Sequence, residues 1–194
     1  EIYDMPKTNI GSDAAHRNFF NKLNSGFVQH RSVTLLFNNR FEEIKIDSAY
    51  TEGYRGSAIV SRGTFGINTC GINSDITIKP NWNDTTVFDC HRGVYTDYSN
   101  LNIDSNLIYR VYTGIFSKRT TDNLRAIVNN SIIRATFRGI NWRENVGASQ
   151  MLAYNNTITI SGDSLGIGIN MVEINPGTSN YQIEHNMVSL TNAR

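Results

Sequence analysis

No run of apolar residues in this 194-residue chain approaches the roughly 18 that a membrane-crossing helix needs, so no span is expected. Proline is scarce at three positions, which leaves backbone N–H groups free for long strand ladders. The two cysteines form no C-x-x-C motif and no histidine lies at ligand spacing from them. A structural zinc site is therefore not expected, and no other metal or cofactor is indicated. Cys70 and Cys90 could pair, but two thiols so placed in a repetitive chain read more simply as buried groups in neighbouring coils. Charged residues make up 18% with a net charge of +1, which excludes a disordered chain and a globally basic one. There is no Ser/His/Asp elbow and no phosphate loop. The histidines, His16, His30, His91 and His185, are scattered, and His185 reads as a turn residue. The opening Glu-Ile-Tyr-Asp is not a signal peptide and lacks an initiator Met, so the chain reads as processed or excised. No linker divides it, and its length suits one domain with a sizeable core.

What is abundant is Asn, together with Ile, which far outnumbers Leu. Ile-rich runs broken by Asn, Gly, Ser and Thr favour strands and turns over helices. A short pattern recurs in them: an Asn with an apolar residue three before and two after. Around Asn106 these are Ile103 and Ile108; around Asn130, Ile127 and Ile132; around Asn156, Ala153 and Ile158; around Asn186, Ile183 and Val188. Recurrence at such intervals, within the roughly 20–50 residues of repeat architectures, indicates stacked units, none of which buries its apolar face alone. Leu36 and Phe41 hold the same offsets from Asn39, between strands expected at 33–37 and 41–46, and mark a first coil. Strand patterns continue at 57–60 and 76–78.

Glycine supplies a second marker, at Gly93-Val94, Gly114-Ile115, Gly139-Ile140 and Gly168-Ile169, and the tripeptide Gly-Ile-Asn begins at 66, 71, 139 and 168. Glycine is expected to let the backbone bend into a strand whose next residue faces the core. The gap from each glycine to the Asn that follows it lengthens along the chain, so length variation falls in the loop between the two markers. Parallel coils stack at about 4.8 Å, which aligns equivalent Asn residues into an amide ladder and uses Asn where a left-handed backbone is needed. The sequons at Asn83, Asn129 and Asn155 are read as by-products of these turns. Ahead of the coils, residues 12–26 predict an amphipathic helix. Ser12 or Asp13 would cap it, Ala15, Phe19 and Leu23 would form its apolar face, and Gly26 would stop it. It would cover the open end of the first coil. The organisation expected is a capping segment over 1–30 and coils over 31–194.

A capping helix, coils of uneven length, Gly-Ile-Asn and Asn-x-Ile turns together resemble the pectate-lyase-like right-handed, single-stranded parallel β-helix. Within that superfamily the uneven coils and the richness in Asn, Thr and Tyr look most like bacteriophage tailspikes. The resemblance implies recognition, and often depolymerisation, of bacterial surface polysaccharide by glycoside hydrolysis. It also implies a homotrimer in the full-length protein and a place on a virion tail or outside the cell. The alternatives are a non-catalytic β-helical adhesin or tail-fibre segment, and an extracellular polysaccharide lyase.

With each post-glycine residue facing inward, the next faces outward: Tyr95, Phe116, Asn141 and Asn170. Two positions on lie Asp97, Lys118, Arg143 and Val172. Rings beside amide and charged groups suit a sugar chain. Tyr95, Phe116, Lys118, Arg119, Asn141, Trp142 and Arg143 are the candidate substrate-binding residues; a subunit interface or a solvated face is the plainer reading. One residue further, Glu144 and Glu173 occupy equivalent positions in successive coils. Stacking would set their carboxyls about 5 Å apart, the separation of a retaining glycosidase pair. Like charges that close raise one pKa and leave an acid beside a base. Glu144, Glu173 and Asp97 are the candidate catalytic residues, against a reading as solvated turn residues. Between Arg110 and Arg143 seven basic residues face one acid, Asp122, a local excess of +6. Such a stripe favours an anionic ligand, best an acidic capsular polysaccharide; no nucleic-acid reading motif is present. β-Elimination from a uronic acid is the lyase version of this chemistry, with Lys118 or Arg143 as the base.

Overall fold

The computed structural model describes residues 1–3, 5, 8–10, 18–37, 39–44, 57–62, 74–79, 87–88, 90–118, 124–143, 149–162, 166–172 and 180–191. Among these residues the chain is all-β: 19 strands and no helix. Every strand pairing is parallel. No helix of the described residues is long and apolar enough to cross a membrane.

The pairings form three ladders. The first holds Ile2–Tyr3, Phe27–His30, Ser57–Arg62, Arg92–Asp97, the C-terminal halves of Leu107–Lys118 and Ile132–Arg143, and Ile167–Val172. The second holds Thr8–Ile10, Val33–Phe37, Ser74–Lys79, Ser99–Asp104, Arg125–Asn129, Gln150–Tyr154 and Asn180–Glu184. The third holds Phe19–Asn21, Arg40–Glu42, Val87–Phe88, the N-terminal halves of the two long strands, Thr157–Ile160 and Met187–Leu190. Order in space follows order in sequence, so each circuit through first, second and third ladder is one coil laid against the last.

Corners between ladders carry the backbone strain. Nine described non-glycine residues have φ between 45° and 57°. Arg31 and Tyr98 turn the chain from first to second ladder. Ser105, Asn130, Asn155 and His185 turn it from second to third, and Lys22, Glu43 and Arg110 from third to first. His185 is thus a turn residue, as its sequence context suggests.

The glycine marker holds its register: Val94, Ile115, Ile140 and Ile169 align, and the first three are fully buried. The reason for glycine differs from the one expected. None of these glycines takes a left-handed conformation. Instead a Cβ on Gly93, Gly114 or Gly139 would lie 2.5 Å from the carbonyl oxygen of the equivalent glycine in the next coil. It would also collide with the inward residue of the third ladder: Ile108 for Gly93, Ile133 for Gly114 and Ile158 for Gly139. The glycine row is the floor on which the Ile row rests. Inside the first ladder, the corner towards the second is polar: Gln29 Nε2 donates to Ser61 Oγ at 2.7 Å, and Ser61 and Ser99 hydroxyls pair at 2.6 Å.

The Asn ladder exists, shifted by one residue at the Asn130 turn. Ile103 aligns with Val128, and Ile108 with Ile133 and Ile158, so the counterpart of Asn106 and Asn156 is Ser131, not Asn130. The inward pair there is Val128 and Ile133; Ile132, expected to face inward, is 43% exposed. With Ser131 in place, the spacings become 25, 25 and 30. Asn186 Oδ1 accepts from Asn156 N (3.0 Å) and Nδ2 (2.8 Å), Asn156 Oδ1 from Ser131 N (3.0 Å), and Ser131 Oγ from Asn106 N (3.3 Å). Asn156 Nδ2 also donates to Val128 O at 2.8 Å. Asn130 and Asn155 are the left-handed residues one place earlier, linked more loosely at 3.4 Å on the surface.

The capping helix is not found. Residues 12–17 lie outside the described residues, and Phe19–Asn21 is a strand paired with Arg40–Glu42. Phe20, off the expected helical face, stacks on buried Phe41 at 4.7 Å, while Phe19 and Leu23 are exposed. Strand pairing with the next coil overrides a weak helical period. Residues 1–30 therefore supply strands to all three ladders. At the other end, Ile183, Val188 and Leu190 continue the core rows but are exposed.

Two asparagines one register apart separate ladder from surface. Asn156→Ala strands a buried N–H and a buried carbonyl and should cost about 3 kcal/mol. Asn130→Gly, which keeps the left-handed corner and loses only surface hydrogen bonds, should cost less than about 1 kcal/mol. Equilibrium urea unfolding of both variants reads the difference; equal losses would place the ladder wrongly.

Candidate functional site

The outward row of the first ladder has the predicted register and an unexpected environment. Val28, Val60, Tyr95 and Phe116 form a small apolar cluster of their own. The Tyr95 and Phe116 rings stack at 5.5 Å, with the half-buried Arg92 guanidinium 5.9 and 5.7 Å from their centroids. Burial lowers the Arg92 pKa, against an opposing pull from Tyr95. Asn141, fully buried, accepts from Asn170 Nδ2 at 2.7 Å. Rings and amides that satisfy one another have few faces left for a sugar.

The other candidates divide. Trp142 belongs to the inward row of its strand and is 0% exposed in the core, its Nε1 without a partner, so it is no contact residue. Lys118 is half-buried and Arg143 is exposed on the predicted face. Asp97 is 2% exposed, with Arg62 and Lys118 as register neighbours in the adjoining coils, a counter-charge arrangement more than an acid open to substrate. Arg119, Glu144 and Glu173 lie outside the described residues, as does Cys70; Cys90 is a buried thiol near the carbonyl of Phe41.

A hollow of about 620 Å³ lies elsewhere, on the outer face of the third ladder. Four successive coils line it in pairs: Tyr109 with Arg110, Arg134 with Thr136, Thr159 with Ser161, and Ser189 with Thr191. Tyr109, Arg134, Thr159 and Ser189 stand in register across the coils. Arg134 lies over the Tyr109 ring at 5.1 Å. Ser189 Oγ bonds Thr159 Oγ1 at 3.2 Å, and Thr191 Oγ1 donates to Ile160 O at 3.4 Å. Arg110 projects from a left-handed corner, where the strand register shifts between Tyr109 and Val111. Such an irregularity re-aims a side chain.

The groove is lined by polar residues, basic at one end and hydroxylic at the other. It can hold a linear ligand by hydrogen bonds and one cluster of positive charge. Among the described residues no Asp or Glu lines it, and no three His, Cys, Asp or Glu side chains converge. The basic stripe named Arg110 and Arg134 without locating them together. Their partners were readable: apart from Arg110, four places after Asn106, the groove residues sit three or five places after the Asn-ladder position, once Ser131 is accepted in it.

Beside the groove, His91, Tyr112 and Phe137 stack at 5.2 and 5.1 Å, and Arg138 covers Phe137 at 4.4 Å. Burial, and secondarily Arg92, lowers the His91 pKa below its ordinary value. A folded pKa below the unfolded one means the folded state resists protonation. The contribution to stability is then whole above the unfolded pKa of about 6.5 and is lost as pH falls towards the folded value. Urea midpoints should fall from about pH 7.5 to about pH 5, with a shallower fall in His91→Gln. A parallel pH profile in the variant would remove His91 from the account. For Asp97, removing one member of a buried charge arrangement should cost about 3 kcal/mol. Thermal denaturation of Asp97→Asn should show that loss without any glycan present; an unchanged midpoint would return Asp97 to the catalytic candidates.

Compared with known protein families, with curated proteins and with solved structures, the chain matches none, so its function must be argued from these residues.

Proposed function

We propose that the chain is a right-handed parallel β-helix of the tailspike kind that recognises a bacterial surface polysaccharide. The observation that carries the reading is the groove across four successive coils, each offering a hydroxyl or guanidinium at one register position. A linear polymer laid along the coil axis meets a new polar pair at every step of about 4.8 Å. Sugar hydroxyls exchange hydrogen bonds with Ser, Thr and Arg side chains at little net cost. A homotrimeric full-length protein on a virion tail, or one working outside the cell, suits that role.

Depolymerisation by glycoside hydrolysis is the catalytic form of this proposal and rests on Glu144 and Glu173, equivalent positions in the repeat. No carboxylate among the described residues lines the groove, which favours the second reading, a non-catalytic β-helical adhesin. Incubation with intact capsule and O-antigen separates the two. A hydrolase releases reducing ends, and Glu144→Gln or Glu173→Gln should cut the rate by about 100-fold while binding persists. A lyase gives an unsaturated, ultraviolet-absorbing product instead. Binding without products makes the protein an adhesin, and absence of binding to every glycan overturns the proposal.

A further inference from the structure

The groove has a direction. Its N-terminal end carries Arg110 and Arg134; its C-terminal end carries Thr159, Ser161, Ser189 and Thr191 and, among the described residues, no charge of either sign. Among those residues Arg134 enters no ion pair, and its guanidinium rests on the Tyr109 ring. Stacking fixes the guanidinium plane and leaves its N–H donors for a ligand, a pre-organised fork for a carboxylate. Two coils further on, a carboxylate would give up water for neutral hydroxyls with no counter-charge, which is unfavourable. A neutral sugar loses nothing there. One coil step is close to the length of one pyranose unit, so neighbouring sugars fall on neighbouring coils.

We infer that the groove selects a heteropolysaccharide in which an acidic sugar is followed by neutral ones, the acidic ring against Arg134 and the neutral rings against Thr159 and Ser189. The inference rests on the polysaccharide reading and narrows it: uniformly neutral glycans and homopolymers of uronic acid are both disfavoured.

Three hexasaccharides test it: a glucuronate-capped cellohexaose, in which one acidic sugar is followed by neutral ones, one of polygalacturonate, and cellohexaose itself. Titration calorimetry at low salt should show the capped fragment bound about tenfold more tightly than either of the others, the worth of one well-placed charge-assisted hydrogen bond. Arg134→Gln should erase the preference over cellohexaose. Thr159→Val should weaken the capped fragment and cellohexaose alike, by about threefold to tenfold. Equal or tighter binding of the galacturonate fragment overturns the inference, as does an Arg134→Gln variant with unchanged preference. Silence towards all three by a parent protein that binds capsule or O-antigen also overturns it and leaves the broader function standing. Failure on capsule and O-antigen as well removes both.

Discussion

The contact on which the rest depends is that of an isoleucine methyl on a glycine. Parallel coils repeat every 4.8 Å or so, about the strand spacing of any sheet, leaving no slack between equivalent positions. The inward Ile108, Ile133 and Ile158 reach across the coil to Gly93, Gly114 and Gly139, where any side chain would collide with them and with the next coil's carbonyl. Each such isoleucine buries apolar area worth about 2 kcal/mol. The pleat then turns every neighbour of these residues to a fixed side, core or surface. Burial of one row thus decides what the outer rows can present.

Much of that was legible. Both sequence markers belong to this single contact: the Asn-x-Ile turn supplies the methyl and the Gly-Ile pair supplies the floor. Their alignment in the first ladder is the one read from the sequence, residue for residue. What failed is one register, at the Asn130 turn. Asn129-Asn130-Ser131-Ile132-Ile133 offers two Asn and two Ile in tandem, so composition favours neither parity. The structure decides through Ser131, whose hydroxyl takes the acceptor role of the amide in the ladder. A search for Asn could not see it. The helix over 12–26 failed for a related reason: the spacing of Ala15, Phe19 and Leu23 is real, yet it is Phe20 that stacks on a core ring, Phe41, in the next coil.

The candidate site was half legible. Outward residues of the first ladder were identified correctly by parity, but parity says nothing about what neighbours do to one another. Stacked identical positions bring like side chains together, and rings and amides are content with their own kind. Tyr95 takes Phe116, Asn141 takes Asn170, and the row closes. Side chains remain available where successive coils differ. On the third ladder Tyr109 and Arg134 give way to Thr159 and Ser189 within two coils, and the drop in side-chain height is the hollow.

That drop also accounts for the chemistry of the hollow. Long side chains at its upper end can stack and orient one another, as Arg134 does on Tyr109, and so hold a charge in place without an acid beside it. Short hydroxyls at its lower end reach only each other and the backbone, and keep spare lone pairs for a ligand. A row of equal residues would have made a flat, self-satisfied face like that of the first ladder. Departure from the repeat, confined to one outer row while the glycine floor stays regular, makes a site at no cost to the stack. Function in such a chain is best sought where the repeat is broken on the surface and kept in the core.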